Sequence, residues 1–319
     1  MTYQHLDEYR NIINQYYKLE DYPEENGWHY VLCANIVLYF EGFQQPLKSN
    51  RQGILDFYGR SMDLVKGDMK WVQINGAGHV RKITKKVFDM IPFWVSPEGP
   101  DKGIFGVDLQ GGLEKNGRTD KGFSFYHFTR SYLCLTLPVE YMLDDPQRFV
   151  GLAKSMVSHL KFVSGNAGFS VNMRPDSGVD REEGSHIYML SRRFDGLDLG
   201  APWDSAFYAI HGLRTINWLT FVGDGLAERM KGRDGVKAAL PQGIPVTDLD
   251  HGLMIQAGPK PILGDVNLQE DMSDYYRIGR ALKPLAFPIP LIDESHTNYP
   301  SKIGGEENSE RWHKRFFEG

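Results

Sequence analysis

The chain has 319 residues, 41% of them hydrophobic and 24% charged, with a formal net charge of -5, which suits one large or two ordinary globular domains whose core needs no disulfides or structural metal. Its 34 glycines and 17 prolines are too few for a fibrous or disordered chain, and the acidic balance argues against a general nucleic-acid binder, which carries a basic stripe for phosphates. No run of 18 apolar residues occurs and the amino terminus is polar and acidic, so neither a membrane span nor a signal peptide is expected.

The opening segment predicts a helix from about His5 to Leu19, followed by the turn-prone DYPEENG. Trp28 to Phe40 is a long apolar run rich in Val, Ile, Leu and Tyr, read as a strand buried on much of both faces. From Gly53 to Val65 the residues Ile54, Leu55, Tyr58, Met62 and Val65 share one helical face, and a short strand follows at Met69 to Ile74. In KKVFDMIPFWV a proline interrupts any helix, and GIFGVDLQGGLEKNGRTDKG reads as a strand entering a polar, Gly-rich turn. Strands at Phe123 to Arg130 and Tyr132 to Tyr141 flank or continue that hairpin.

The clearest helix is Pro146 to Leu160, where Phe149, Leu152, Ala153, Met156, Val157 and Leu160 recur at spacings of three and four. Asp144 or Asp145 can cap it, with Pro146 at the first helical position. YVLCANIVLYF, a helix and MKWVQIN are echoed by SYLCLTLPVEYM, a helix and GFSVN, either an internal strand-helix-strand duplication or chance similarity. Later elements are helices at Ser185 to Arg193, DGLAERMKG and Tyr275 to Leu282, with strands at Ile216 to Val222 and Gly252 to Ala257. The expected class is α+β, with largely antiparallel sheets and packed helices. Residues 1–27 form an amino-terminal helical segment, 28–292 the main domain, with two subdomains dividing near 143 as a variant, and 293–319 a polar tail.

No catalytic set is readable. Cys33 and Cys134 sit inside apolar strand-like runs, where a small buried thiol is the simpler reading, and two such residues suit a reducing compartment. The ten histidines, among them His127, His186 and His251, form no HExxH or HxH, and DVNLQEDMSD lacks the glycine that turns a calcium loop. INGAGHV lacks the third glycine of a phosphate cradle, and no GxSxG surrounds Ser185 and His186. Asp63, Asp68 and Lys70 loosely imitate a metal-dependent nuclease, but Asp63 falls on the polar side of a predicted helix rather than on a strand. Acidic loops recur at Glu20 to Glu25, Asp176 to Glu183, Asp265 to Asp274, and Asp293 to Glu294. Such clusters are ordinarily solvated surface, and one with a function would imitate the phosphates that a nucleic-acid enzyme reads.

The words SHIYMLSRRFDGLDL, LRTINWLTFVGDGLAERM, GLMIQAGPKPILGDVN and YYRIGRALKPL, between Ser185 and Leu285, resemble the type VI secretion immunity proteins that protect bacteria from effectors carrying a VRR-type nuclease domain. The helix and strand at Pro146 to Asn172 also fit; the first 25 residues and those beyond Pro290 do not. Read as residues alone, Ile216, Trp218, Leu219, Phe221 and Val222 are core strand positions that specify a fold rather than a surface. The resemblance implies a cytoplasmic inhibitor that binds a nuclease toxin and covers its active site or nucleic-acid cleft, with no enzyme activity, cofactor, metal, membrane or direct nucleic-acid contact of its own. The expected partner-binding residues are Asp176, Asp180, Glu182 and Glu183 in one acidic loop, and Trp203 and Asp204 in the aromatic WDSAFY. The alternative is a metal-dependent hydrolase whose ligands are dispersed along the chain.

Overall fold

The computed structural model describes residues 5–17, 27–41, 47–74, 80–99, 105–113, 115, 117–127, 131–173, 181–287 and 305–318. Its strands are β1 (Gln15–Tyr17), β2 (Gly27–Phe40), β3 (Trp71–Ile74), β4 (Arg81–Lys82), β5 (Phe105–Gln110), β6 (Gly122–His127), β7 (Ser131–Leu137), β8 (Ser164–Met173), β9 (Leu219–Gly223), β10 (Val246–Leu249) and β11 (Gly252–Gln256). Its helices are α1 (Leu6–Ile13), α2 (Leu47–Val65), α3 (Lys85–Val95), α4 (Val139–Leu143), α5 (Pro146–Val157), α6 (Arg181–Arg193), α7 (Pro202–Ala209), α8 (Asp224–Ala227), α9 (Gly232–Ala239), α10 (Ser273–Ala281) and α11 (Gly305–Lys314). The strands form one sheet in the order β10-β11-β9-β8-β2-β7-β6-β5-β3-β4, with β1 beside β2, and every pairing is antiparallel. The α+β class expected from the sequence is the one observed.

The apolar run of β2 is the centre of the sheet, hydrogen-bonded to β8 from Tyr30 to Tyr39 and to β7 from Ala34 to Phe40. Successive side chains of a strand point to opposite faces, and a strand with neighbours on both edges and cover on both faces is apolar throughout. Leu32, Ala34, Ile36 and Leu38 join a core with Ile54, Phe57 and Met62 of α2 and Phe149, Ala153 and Val157 of α5. Since neighbours alternate in direction, α2 links the parallel strands β2 and β3, while α4 and α5 link the parallel strands β7 and β8. The strand-helix-strand echo is thus two crossovers, with the second strands in unlike places: β3 lies beyond β5, and β8 lies directly beside β2. The strands after residue 143 form one contiguous half of the sheet and those before it the other, and the two halves meet at the β2–β8 pairing. No helix among the described residues is long and apolar enough to cross a membrane.

Local chemistry explains where the elements stop. α5 starts at Asp145, whose carboxylate accepts from Arg148 N at 3.0 Å with Pro146 in the first turn. The helix expected to reach Leu19 ends at Ile13, because Asn14 is extended and its side-chain oxygen accepts from Leu32 N at 2.7 Å, turning the chain into β1. The strand expected to reach Tyr141 ends at Leu137, because Pro138 has no N–H for the ladder and stands at the start of α4. Conversely, α3 runs through Pro92: Thr84 caps its start and buried Ile91 and Val95 hold both sides of the one hydrogen bond that the proline removes.

The segment read as a polar tail also contributes to the core. Among residues 305–318, Trp312 in the last turn of α11 and Phe316 and Phe317 in the turn that follows are all buried. α11 lies on α6, where Asn308 Nδ2 donates to Ser191 Oγ at 2.8 Å and Arg311 donates to Ser191 O at 2.6 Å. Arg315 donates to Asp195 O at 2.8 Å and to Thr215 Oγ1 at 3.1 Å. Nearby, buried Asp198 accepts from the guanidinium of Arg214, from Asn166 Nδ2 at 3.2 Å and from Gly200 N at 3.0 Å. The Arg214 guanidinium lies 5.7 Å from the Trp312 ring, so α11 closes over a buried ion pair.

Candidate functional site

The odd-numbered side chains of β2 face away from α2 and α5. On this second face α7 packs its Ala206 and Ala209 onto Val37, Tyr39, Tyr126, Tyr132 and Cys134. Beside α7 the face opens into a cavity of about 520 Å3, floored by β3, β5, β6, β7, β2 and β8. Its floor is laid in cross-strand rows fixed by register. Gln73, Asp108, Ser124 and Cys134 lie side by side on β3, β5, β6 and β7. Gln110, Gly122, Thr136, Asn35 and Gly168 form the next row, across β5, β6, β7, β2 and β8.

One wall is a self-satisfied polar network. Arg118 Nη1 donates to Asp108 Oδ2 at 2.7 Å, Gln110 Nε2 donates to Asp108 Oδ1 at 2.7 Å, and Asn172 Nδ2 donates to Gln110 Oε1 at 3.0 Å and Thr119 O at 2.7 Å. The one carboxylate and one guanidinium of the lining therefore neutralise each other, and Arg118 is only 6% exposed. The opposite wall is aromatic: the ring of Trp203, at the start of α7, meets the Tyr126 ring edge-on at 4.1 Å. On the floor, Asn35 is 4% exposed, and its side-chain oxygen has no hydrogen-bond partner among the described residues.

The two cysteines both line this cavity, far apart in sequence but brought to one face by the register of β2 and β7. Burial pushes the Cys134 thiol up to about 12. Burial, then the nearby Cys134, pushes Cys33 well above its ordinary value. Both are therefore neutral thiols at physiological pH rather than nucleophiles. Burial, with Asp108 beside it, raises the Tyr132 phenol as well. A smaller cavity of about 220 Å3 gathers His127, Lys161, Arg229 and His251; burial and then Arg51 lower His127 and keep its ring neutral. Among the described residues no group of three or more His, Cys, Asp or Glu side chains is placed to hold a metal ion.

Of the residues singled out by sequence, Trp203 lines the large cavity, and Asp204 follows it in the first turn of α7, half-buried. Glu182 and Glu183 lie in the first turn of α6. Asp176 and Asp180 fall outside the described residues, in the stretch that follows cavity-lining Met173. The aromatic WDSAFY is helical, with Pro202 in the first helical turn. Sequence reasoning missed Asp108, Gln110, Arg118, Ser124, Asn35 and Thr136. The available signal was the polar side chain at alternate positions of β5 and β6, and a lone asparagine inside the apolar β2, both marks of a second functional face.

A family model described as Type VI immunity for VRR-NUC (TsiV) matches residues 113–316, from the hairpin before β6 to the end of the α11 packing unit. The match reaches well beyond the segments that carry the resemblance in sequence. No curated protein matches the chain in sequence. Among solved structures, the Pseudomonas aeruginosa T6SS protein PA0821 superposes with a TM-score of 0.76 at 21% identity, covering 98% of this chain and 89% of that chain. At that identity the likeness establishes a shared fold.

Proposed function

Because the chain belongs to the family of type VI immunity proteins for VRR-NUC, we propose that it binds a nuclease effector of the type VI secretion system and neutralises it by covering the effector's active site or nucleic-acid cleft. The family match over residues 113–316 carries this reading. The open sheet face beside α7 offers a place for the partner: it is concave, walled by aromatics and lined by groups whose charges cancel. The acidic candidates are neighbours of its lining in sequence. Asp176 and Asp180 follow Met173, Glu182 and Glu183 open α6, and Asp204 is next to Trp203.

A cleft that holds phosphates is basic, and complementary charge raises the rate and specificity of its encounter with an acidic rim. Trp203 then serves as an aromatic anchor inside that rim. The protein acts by occupancy, without chemistry of its own, in the cytoplasm where the nucleic acid is. The test is co-purification with a VRR-NUC effector domain, followed by nucleic-acid cleavage at increasing molar ratios. Cleavage that stops at equimolar protein is the expected outcome; no complex, with cleavage undiminished at excess, refutes the reading.

A further inference from the structure

We infer that the β4 edge of the sheet is a docking surface for an extended, acidic segment of a protein partner, which adds to the sheet as a further strand. The inference goes beyond neutralisation and does not depend on it. β4 is the last strand in the order, and among the described residues nothing hydrogen-bonds to its outer edge. Such an edge presents unused N–H and C=O groups to an extended chain, and the charges around it select which chain.

Lys66, Lys70, Arg81, Lys82, Lys85 and Lys86 are all exposed, and none forms an ion pair among the described residues. The fold brings them together. Ile83 N donates to Lys70 O at 2.8 Å, the Lys66 ammonium lies 5.3 Å from the centre of the Phe88 ring on α3, and Lys85 and Lys86 stand in the first turn of α3. Of the two carboxylates between residues 66 and 89, Asp68 is held by Lys121 at 2.9 Å and Asp89 pairs with none of the six cations. The opposite edge of the sheet is built differently: on β10, Asp248 accepts from Lys237 at 2.7 Å and lies 3.7 Å from Arg233. One edge is neutralised within the chain, while the other concentrates positive charge on a protein whose net charge is -5. Two of those charges also work against the fold, since the first turn of a helix favours acidic side chains and that of α3 has none. An anionic partner compensates them.

Register favours a strand over a phosphate backbone. Lys82 stands opposite Trp71 and Arg81 opposite Val72, so the two cations point to opposite faces of the sheet. A strand laid outside β4 likewise sends alternate side chains to the two faces, where acidic residues meet Lys82 on one and Arg81 on the other. Main-chain hydrogen bonds then supply affinity and the flanking cations supply selection. A phosphate backbone has no donors and leaves the C=O groups of the edge unpaired.

The experiment is fluorescence anisotropy of the full chain with two labelled octapeptides of equal charge, (Glu-Thr)4 and (Glu-Glu-Pro-Pro)2. The paired prolines of the second remove strand N–H groups whichever side of the peptide meets β4. The first is expected to bind about tenfold more tightly and to slow hydrogen exchange at the amides of Arg81 and Lys82. Arg81→Glu with Lys82→Glu is expected to weaken it by about tenfold. Lys85→Glu with Lys86→Glu is expected to weaken it too while raising the melting temperature, because acidic groups suit the start of α3. Equal affinity for the two peptides, or binding of neither, overturns the inference on the unaltered chain alone, whatever becomes of the variants. Tighter binding, at the same ionic strength, of a short DNA duplex or of phosphatidylserine vesicles also overturns it, since either outcome assigns the patch to phosphate.

Discussion

Asp198→Ala is the most informative single perturbation of the fold. The carboxylate is 1% exposed and accepts from Arg214, Asn166 and Gly200, and Arg214 is itself only 6% exposed. Removing it deletes three hydrogen bonds and leaves a guanidinium inside the protein with no countercharge. Breaking a buried pair on one side costs about 3–5 kcal/mol, which is a large share of the roughly 5–15 kcal/mol that holds a domain folded. Urea unfolding followed by tryptophan fluorescence measures it well, because buried Trp312 lies beside Arg214 and Trp218 reports the core. The double variant Asp198→Ala, Arg214→Met should recover most of the loss, since an apolar pair replaces the stranded charge at little net cost. A loss below about 1 kcal/mol, or a double variant no more stable than the single one, refutes the account of a tightly coupled pair.

Phe316→Ala should destabilise by about 3–5 kcal/mol, because the ring is fully buried against Tyr275 and Tyr276 of α10; a change typical of a surface site contradicts the integral place of the segment that follows α11. The half-buried His313 is held down to about 3 from an ordinary 6.5 by burial, then by Arg214 and Arg315. Its folded value is the lower one, so the unfolded chain binds the proton first and stability is lost as pH falls from about 6.5 toward 3. His313→Gln should make the urea midpoint less sensitive to pH between neutrality and mild acid, and identical slopes count against it. Charge reversal of Asp176, Asp180, Glu182 and Glu183 together should slow association with the effector, most strongly at low salt; an association rate untouched by all four reversals removes the acidic rim from the interface.

The fold class and most central elements were legible because their patterns are strong. The apolar run of β2 and the three-four spacing of α5 each identify one element with one register. Boundaries failed where a single side chain overrides a pattern, as Asn14 does by capturing Leu32 N and Pro138 by ending the ladder of β7. The α11 packing was hidden because half of GEENSERWHK is charged, and Trp312, with Phe316 and Phe317 just beyond the helix, matters only once α6 and the Arg214 segment are there to meet them. The cavity was harder still. Asp108, Arg118 and Asn172 come from distant parts of the chain and become one wall only through the pairing of β3, β5, β6, β7, β2 and β8. Trp203 was legible as an aromatic of interest, but its partner Tyr126 was not.

The position of β2 has a further consequence for how the molecule comes together. Its main partners are Ser131–Leu137 and Ser164–Met173, far along the chain, while the nearby β1 offers only three residues of pairing. Central contacts of such large sequence separation must close long loops before they return any stabilisation, which slows folding. Until β7 and β8 arrive, fourteen consecutive residues of high β-propensity stand with both edges open, a condition that favours intermolecular pairing over productive collapse. Recovery of active protein from denaturant is accordingly a contest between chain dilution and strand capture, and the same central strand that makes the finished sheet secure sets the odds.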